Sequence, residues 1–336
     1  GGAFHAIVPK LKSKDILTQR FAALAIGNLA TSPKNQTQML SMGALRPLVH
    51  LAQIQNGDIE TQRYATFAIV NSAAAAENHN VLLGEGVVAL LVSLIRSSDI
   101  DVMNAAILGL ANFAAVAENA DILVEEGSLD AVIDLLRVSS NVETQLRAVT
   151  VIRGLSVVEK TRTLIVESGG VEPLLTLTYT EDVELQREVL QTLCNLSLSG
   201  CVGKMHKKFM RTVNINALIT FLCAADTTYR LFGAVTLGNV ASAVDEHDEI
   251  MEGGALTPLM NVMKKGDVET QRAIAYAVCN LAATVENRKS IVEKGGLSPI
   301  SSLACSNDAD DAWCGITTLR GLSAHDYLRE QMVEAL

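Results

Sequence analysis

Asparagine side chains recur at one phase of the sequence and are the residues best suited to binding chemistry. Six of eight equivalent positions, 41 to 44 residues apart, carry asparagine, and the other two carry Gly154 and Gly321. A primary amide presents both a hydrogen-bond donor and an acceptor, so it can pair with a peptide group. A row of such amides could therefore hold the main chain of another protein. We call the eight positions the landmark positions, and their asparagines are Asn28, Asn71, Asn112, Asn195, Asn239 and Asn280.

Side chains that could catalyse a reaction or bind a metal show no comparable pattern. The six histidines are spread along the chain, and no Cys/His cluster has metal-ligand spacing. Segment 200–204 is only faintly similar to a phosphate-binding loop, because two residues instead of four separate its glycines and Met205 stands where serine or threonine is required. The sequence therefore predicts no catalytic residue, no metal site and no cofactor.

Composition narrows the classes of function. The chain has 336 residues and a formal net charge of −10, which argues against a nucleic-acid ligand. No apolar run approaches the roughly 20 residues that a transmembrane helix needs. None of the six cysteines belongs to a C-x-x-C pair. We interpret them as small buried hydrophobic residues in a reducing compartment, which predicts a cytoplasmic protein.

The landmark positions lie near the C-terminal ends of predicted long helices. Small residues three and four apart precede each landmark, as in segment 65–73. A second landmark, a glycine, lies 26 to 28 residues before six of them and precedes an apolar stretch. Glycine ends a helix with positive φ, so each repeat is predicted to contain a short helix, a glycine turn, a second helix, a polar turn and a long third helix. These glycines are Gly43, Gly86, Gly127, Gly169, Gly254 and Gly295.

The repeats cover the whole chain, so residues 1–336 are predicted to form a single domain. An Asp or Ser in each polar turn is expected to cap the third helix. The first repeat is expected to hold only a second helix, 4–12, and a third helix, 16–30. The approximate bounds are 1–31, 32–75, 76–116, 117–157, 158–199, 200–243, 244–284 and 285–324, with 325–336 as the start of a further helix.

The sixth repeat departs from the pattern. Val213 occupies the glycine position, and Asn214 is expected to take the positive φ instead, because asparagine tolerates it better than other residues with a side chain. The segment 204–211 is basic in an otherwise acidic chain. Two interpretations remain open: a slightly bent array, or a contact site for an acidic partner.

The Glu-Thr-Gln-Arg sequences at 60–63 and 269–272, together with the Asn-Leu-Ala endings, resemble the third helices of armadillo repeats. Their regularity is most similar to that of vacuolar and plant-type armadillo scaffolds, and less to that of importin-α or β-catenin. The resemblance implies an all-α fold, a right-handed superhelical α-solenoid of about eight armadillo repeats with three helices each. It also implies that third helices line a concave groove where the landmark asparagines bind the backbone of an extended peptide. The alternative is that these amides bond only to neighbouring helices.

Two further positions on the third helices could contact a ligand. Phe67 and Tyr276 lie four residues before a landmark, where importin-α carries tryptophans; the absence of a tryptophan array argues against an import receptor. Four repeats carry arginine eight residues before the landmark, and another arginine directly precedes Gly154. We expect these arginines either to grip an acidic or phosphorylated ligand or to pair with a glutamate of the adjacent repeat. They are Arg20, Arg63, Arg187, Arg272 and Arg153.

The sequence thus predicts a non-catalytic scaffold or adaptor that binds an extended segment of a partner protein. One alternative is a membrane-tethered adaptor in trafficking or organelle positioning, whose tether lies outside these 336 residues. Another is the substrate-binding arm of a larger regulatory protein such as a ubiquitin ligase. Self-association is also open, because Phe4, Ile7 and Met332 would be exposed at uncapped ends of the array.

Overall fold

The computed structural model describes residues 2–53, 58–198, 209, 212–324, 329–330 and 332–333, and these residues form helices and no β-strand. This confirms the all-α fold class. The chain forms two compact units, Gly1–Glu188 and Val189–Leu336. Apart from Phe209, the basic segment 204–211 lies outside the described residues, as does much of 325–336, so what the sequence predicts there stays a prediction.

In the first unit, the helices follow the predicted order of short, second and third helix. The third helices are 14 or 15 residues long, and they are α2, α5, α8, α11 and α14 in the numbering that follows. Helix α14 contains the boundary between the units. The helices are α1 (Gly2–Ile7), α2 (Ile16–Leu29), α3 (Pro33–Ser41), α4 (Leu45–Gln53), α5 (Ile59–Ser72), α6 (His79–Gly84), α7 (Val87–Leu94), α8 (Ile100–Ala114), α9 (Ala120–Glu125), α10 (Ser128–Val138), α11 (Val142–Ser156), α12 (Glu159–Glu167), α13 (Val171–Leu177) and α14 (Val183–Ser197).

The described part of the second unit repeats the same order. Its third helices are α16, α19 and α22 in the list below. Short 3₁₀ segments precede several short helices of both units, as at Ala76–Asn78 and Val244–Glu246. The helices are α15 (Ile215–Leu222), α16 (Thr227–Val240), α17 (His247–Glu252), α18 (Leu256–Lys265), α19 (Val268–Leu281), α20 (Val285–Glu293), α21 (Leu297–Ala304) and α22 (Ala309–Leu322).

The first predicted helix, 4–12, differs from the expectation. Helix α1 ends at Ile7, and Val8–Lys12 is a 3₁₀ helix. Pro9 explains the change, because proline has no N–H to donate to the carbonyl four residues earlier and its ring crowds that carbonyl. The chain therefore tightens at this point instead of continuing as an α-helix.

The glycine turns between short and second helices are confirmed. All six predicted glycines have positive φ, between 70° and 78°. At Gly86 and Gly127 a Cβ would meet nothing within 4 Å, so space does not explain the choice of glycine. The backbone conformation does, because a side chain disfavours positive φ.

Asn214 takes the positive φ at the turn of the sixth repeat, as predicted, but its ψ of 132° lies outside the left-handed helical region that Gly86 and Gly127 occupy. Its φ is +60°, and it is the one residue other than glycine with positive φ among those the structure describes. Its Oδ1 accepts a hydrogen bond from the backbone N–H of Asn216 at 3.0 Å. The side chain thus compensates in part for a backbone conformation that alanine or valine would adopt only at a cost.

Asn214→Ala is expected to destabilise the chain by about 1–2 kcal/mol, because alanine offers neither the conformational freedom of glycine nor the side-chain hydrogen bond. Asn214→Gly should change the free energy of unfolding by less than about 0.5 kcal/mol, since glycine restores the freedom but loses the bond. Denaturant unfolding of both variants measures the difference. Equal stability of the alanine and glycine variants would contradict this account.

Aspartate caps seven of the third helices, as predicted for the polar turns, and an asparagine caps the eighth. Oδ2 of Asp58 accepts from the backbone N–H of Thr61 at 3.0 Å, and Oδ1 of Asp267 accepts from that of Thr270 at 3.0 Å. These bonds satisfy donors that have no partner inside the helix. The capping residues are Asp15, Asp58, Asp99, Asn141, Asp182, Asp226, Asp267 and Asp308.

The other ends of the third helices are held by polar side chains of the short helices. Nδ2 of Asn78 donates to the carbonyl of Ser72 at 2.9 Å, and Nδ2 of Asn119 donates to that of Phe113 at 3.0 Å. The last carbonyls of a helix lack the usual intrahelical donor, so these side chains supply a hydrogen bond to them; the Phe113 carbonyl also accepts from the backbone N–H of Val116. This explains why buried asparagines recur in the short helices.

The core of each unit lies between successive third helices and the second helices packed against them. Alanines six residues before the landmark in α2, α5 and α8 are buried: Ala22, Ala65 and Ala106. Such small side chains let neighbouring helices approach closely, which accounts for an aromatic content of only 4%. The interpretation of the cysteines as buried is wrong for Cys223 and Cys305, which are exposed because they directly follow second helices at turns.

Candidate functional site

The landmark asparagines share one face of the third helices with the side chains four residues before them. In the first unit Asn28 is exposed, while Asn71 and Asn112 are half-buried. Phe67 and Leu108 expose 37% and 38% of their surface. We call these five residues the asparagine face of the first unit.

Each half-buried asparagine of this face bonds to the preceding third helix. Nδ2 of Asn71 donates to the carbonyl of Gly27 at 3.0 Å, and Nδ2 of Asn112 donates to that of Val70 at 3.3 Å. The acceptors lie in the last turns of α2 and α5, where carbonyls lack a full set of intrahelical donors. The amides therefore do what the alternative interpretation expected, and the bonds also fix their orientation. Both Oδ1 atoms accept no hydrogen bond from the residues that the structure describes.

In the second unit the asparagines differ from one another. Asn280 repeats the arrangement, because its Nδ2 donates to the carbonyl of Gly238 at 3.0 Å. Asn239 is only 8% exposed, and its Nδ2 donates to the hydroxyl of Ser197 at 2.9 Å and to the carbonyl of Cys194 at 3.4 Å. The prediction of Asn239 as a ligand-binding residue is corrected accordingly: its amide is sealed by the neighbouring helix. Asn195 is half-buried.

The two predicted aromatic residues lie over glycines of the preceding third helix. A Cβ on Gly27 would come within 2.7 Å of Cδ1 of Phe67, and a Cβ on Gly238 would come within 2.9 Å of Cδ1 of Tyr276. Each glycine thus makes room for one edge of a ring. Tyr276 still exposes 43% of its surface. Both rings are consequently fixed in place and accessible to a ligand.

The two landmark glycines have different surroundings. A Cβ on Gly154 would lie 2.4 Å from the carbonyl oxygen of Ala114, so α11 approaches the end of α8 too closely for any side chain. A Cβ on Gly321 would meet only the Cβ of Ala282, at 3.8 Å. Only at Gly154 is the missing amide explained by helix packing.

The arginines of the first repeats pair with the caps of the next third helix. The guanidinium of Arg20 lies 2.6 Å from the carboxylate of Asp58, and that of Arg63 lies 2.5 Å from Asp99. Each arginine also contacts a second, more exposed carboxylate. These second carboxylates are Glu60 and Asp101.

The same arrangement continues in both units. Arg272 pairs with Asp308 at 2.7 Å and with the buried carboxylate of Asp311, and Arg153 pairs with Glu188 at 2.6 Å. Within the chain these four arginines pair mainly with capping aspartates instead of the expected glutamates, and their role in gripping ligand carboxylates or phosphates stays a prediction. Arg187 is exposed and has no ion-pair partner among the described residues.

A sequence profile described as Armadillo-like matches residues 40–222, which is more than half of the chain. The chain belongs to this Armadillo-like family. The resemblance seen in the third helices is thereby confirmed. No curated protein sequence matches the chain. The armadillo-repeat fold is a protein-binding scaffold that is typically non-catalytic.

Solved structures of engineered and designed proteins resemble this chain. One engineered protein is 26% identical, covers 96% of this chain and 79% of its own, and has a TM-score of 0.85. Another is 26% identical, covers 70% of this chain and 96% of its own, and has a TM-score of 0.63. A designed armadillo repeat protein in complex with the peptide (KR)4 is 20% identical, with coverages of 70% and 99% and a TM-score of 0.64, and this likeness shows the fold alone.

Within the described ranges, no three His, Cys, Asp or Glu side chains lie together in an arrangement that could hold a metal ion. No single helix among the described residues is long and apolar enough to cross a membrane. One bent pair, Ile100–Ala114 with Ala117–Glu125, meets that test by length and composition only.

Sequence reasoning missed the partners of the arginines. Asp58 and Asp99 were predicted as helix caps, yet each also binds an arginine of the preceding repeat. One signal was present: an aspartate lies 36 to 38 residues after Arg20, Arg63 and Arg272. The regular spacing of these arginines and aspartates would have indicated a series of ion pairs between successive repeats.

The ion pair of Arg20 and Asp58 is expected to make stability pH-dependent. Hydrogen bonds from Arg20 and from Thr61 lower the pKa of Asp58 from 3.8 to about 2. Because the folded-state pKa is depressed, this contribution is complete above pH 4 and is lost as the pH falls toward 2. At pH 5 Asp58→Asn should cost about 1–2 kcal/mol, after allowance for solvent screening. Denaturant unfolding of both proteins at several pH values should show this difference shrinking below pH 4; a constant difference would contradict the assignment.

Proposed function

We propose that this chain is a non-catalytic scaffold that binds an extended segment of a partner protein along the asparagine face of the first unit. One observation carries the proposal: Asn71 and Asn112 are held in a fixed orientation by bonds to the preceding helix, and their Oδ1 atoms remain as acceptors at a half-exposed surface. A pre-oriented acceptor loses less conformational entropy on binding.

The chemistry suits the main chain of an extended ligand. Backbone N–H groups of the ligand would donate to Oδ1 of Asn71 and Asn112, one per repeat, and each bond contributes about 0.5–1.5 kcal/mol net. Phe67 and Leu108 offer apolar surface between these amides. Main-chain bonds then supply affinity, and side chains of the ligand supply specificity.

The charges beside the face favour a cationic ligand over the acidic or phosphorylated one expected from the sequence. Arg20 forms ion pairs with both Asp58 and Glu60, and Arg63 forms ion pairs with two aspartates, Asp99 and Asp101. Each group of one arginine and two carboxylates therefore has a net charge of −1. Glu60 is 44% exposed at its side chain. A peptide with lysine or arginine side chains would find complementary charge here. A designed armadillo repeat protein of the same fold is in complex with a peptide, (KR)4, which supports peptide binding by this fold in general.

The test compares the wild type with Asn71→Ala plus Asn112→Ala. A random peptide library displayed on phage is panned against the wild type, and the enriched peptides are synthesised. We expect them to contain lysine or arginine and to bind the double variant about tenfold more weakly, because two backbone bonds are lost. Fluorescence anisotropy measures both affinities.

Asn35→Ala is the matched control. Nδ2 of Asn35 also donates to a carbonyl at the end of a third helix, that of Leu29 at 2.9 Å, but Asn35 belongs to a short helix. It should lower stability without changing the affinity for the peptides. Equal affinity of wild type and double variant, with both folded, would remove the asparagines from the binding mechanism.

A further inference from the structure

Four apolar side chains are exposed in two successive turns of the first unit. The turns join the second helices α10 and α13, which are in contact, to the third helices α11 and α14. Near the ends of the second helices, Val138 and Tyr179 expose 80% and 73% of their surface. Val142 and Val183, the first residues of the third helices, are also exposed. We call these four residues the turn patch.

The fold does not require an apolar residue at Val138 or Tyr179. Both lie three residues before the capping residue of a third helix, and Arg96 and Lys264 are exposed at the equivalent point of two other repeats. Most repeats begin the third helix with an exposed aliphatic residue, but only in these two turns does a large apolar residue stand three residues before the cap as well. Single exposed apolar residues are common, whereas a group of them rimmed by polar residues marks a contact surface.

The charged residues of the two turns are acidic. No basic residue lies in the stretches 138–143 and 179–184, which carry four acidic ones. Glu181 and Glu184 are exposed and have no ion-pair partner among the residues that the structure describes. A partner with lysine or arginine side chains would find complementary charge here.

The arginines around the two turns do not reverse this charge. Arg137 pairs with Asp134 at 3.0 Å, and Arg147 pairs with Glu143 at 2.6 Å. Arg187 follows in the next turn of α14, yet residues 179–187 still carry a net charge of −2. The charges beside the turn patch therefore favour a cationic partner.

Helix caps hold both turns in the same way. Oδ1 of Asn141 accepts a hydrogen bond from the backbone N–H of Thr144 at 2.9 Å, and Oδ1 of Asp182 accepts one from that of Leu185 at 2.8 Å. Valine side chains are also restricted in rotamer, so the turn patch loses little conformational entropy when it is covered. Tyrosine adds a large apolar ring, which is why it is common among the residues that dominate binding energy.

We propose that the turn patch binds a basic segment of a partner protein. Apolar side chains of the segment cover the four residues, and its lysine or arginine side chains pair with Glu181 and Glu184. This surface is separate from the asparagine face, because Val142 lies 12 residues, or about 18 Å of helix, before the landmark Gly154. The inference therefore does not depend on the proposed function.

The test uses a patch variant, Val138→Arg plus Tyr179→Lys. The chain itself carries arginine or lysine at this point of other repeats, so the variant should fold, which circular dichroism and thermal unfolding establish. Val138→Arg alone takes its place if the double change disturbs folding. Val81→Lys is the matched control, because Val81 is an exposed valine of the short helix α6, outside the turn patch.

The phage-displayed random peptide library is first depleted on the patch variant and then panned against the wild type. The retained peptides should combine lysine or arginine with aliphatic or aromatic residues. They should bind the patch variant at least about tenfold more weakly than the wild type, and Val81→Lys as tightly as the wild type. Fluorescence anisotropy measures the affinities.

Two further variants separate the charges and the two surfaces. Glu181→Gln plus Glu184→Gln should weaken binding of the retained peptides several-fold, and Asn71→Ala plus Asn112→Ala should leave it unchanged. Retained peptides rich in aspartate or glutamate, or insensitive to the glutamine variant, would overturn the proposal. So would a library that yields no peptide after depletion. None of these results bears on the asparagine face, which its own variant tests.

Discussion

Gly154→Asn is expected to destabilise the chain by about 2–3 kcal/mol, although asparagine is the residue at six of the eight landmarks. A Cβ at this position would lie 2.4 Å from the carbonyl oxygen and 2.8 Å from the carbonyl carbon of Ala114. Both are backbone atoms of α8, so no rotamer change can relieve the clash. The helices must separate, and the buried contacts between α8 and α11 weaken. Chemical denaturation of wild type and variant measures the loss.

Gly321→Asn provides the matched control. Gly321 is the other landmark glycine, yet a Cβ there would meet only Ala282 Cβ at 3.8 Å, an ordinary contact. Glycine is also a poor helix former, so this variant should be within about 0.5 kcal/mol of wild type or slightly more stable. An equal loss at both positions would show that the array rejects asparagine for some other reason. No loss at Gly154 would contradict the close approach of the helices.

This pair shows what periodicity can and cannot predict. The glycine turns and the capping aspartates follow from rules that act over a few residues: positive φ favours Gly86, and an unpaired helical N–H favours Asp58. Such local features were predicted from the sequence and are confirmed. Gly154 and Gly321 occupy the same phase of the repeat, and only the distance to a neighbouring helix separates them. That distance depends on many side chains far apart in sequence.

The candidate site shows the same division. The landmark phase identified Asn239 and Asn280 as equivalent, and both do bond to the preceding third helix. Asn239 is nevertheless buried, and its Nδ2 also donates a hydrogen bond to the hydroxyl of Ser197, which lies beside it. The position of Asn239 within its repeat does not predict that the Ser197 hydroxyl lies beside it. The arginines show the same limit. From the sequence alone, Arg63 could form an ion pair with a ligand or with an acidic residue of this chain, and the structure shows that it pairs with Asp99.

Arg272→Met is expected to destabilise the chain clearly more than the loss of an exposed arginine does, because it leaves the largely buried carboxylate of Asp311 without its partner. The carboxylate of Asp311 is only 8% exposed and accepts hydrogen bonds from Nε of Arg272 and from the hydroxyl of Ser306, the latter at 3.1 Å. Methionine preserves much of the apolar stem of arginine, so lost packing contributes little. Denaturant unfolding at pH 7 measures the effect.

Two further variants separate the causes. Arg272→Met combined with Asp311→Leu removes both charges and should recover most of the loss, since an ion pair replaced by apolar residues is often neutral. Arg46→Met is the control for an exposed pair: Arg46 is 82% exposed beside Glu85, so its loss should change the free energy of unfolding little. If Arg272→Met is as harmless as Arg46→Met, the guanidinium contributes little to the fold and is available to a ligand. If Arg272→Met instead lowers stability strongly, and adding Asp311→Leu restores it, Arg272 acts in the contacts between repeats. Ligand binding is then assigned to the asparagine face.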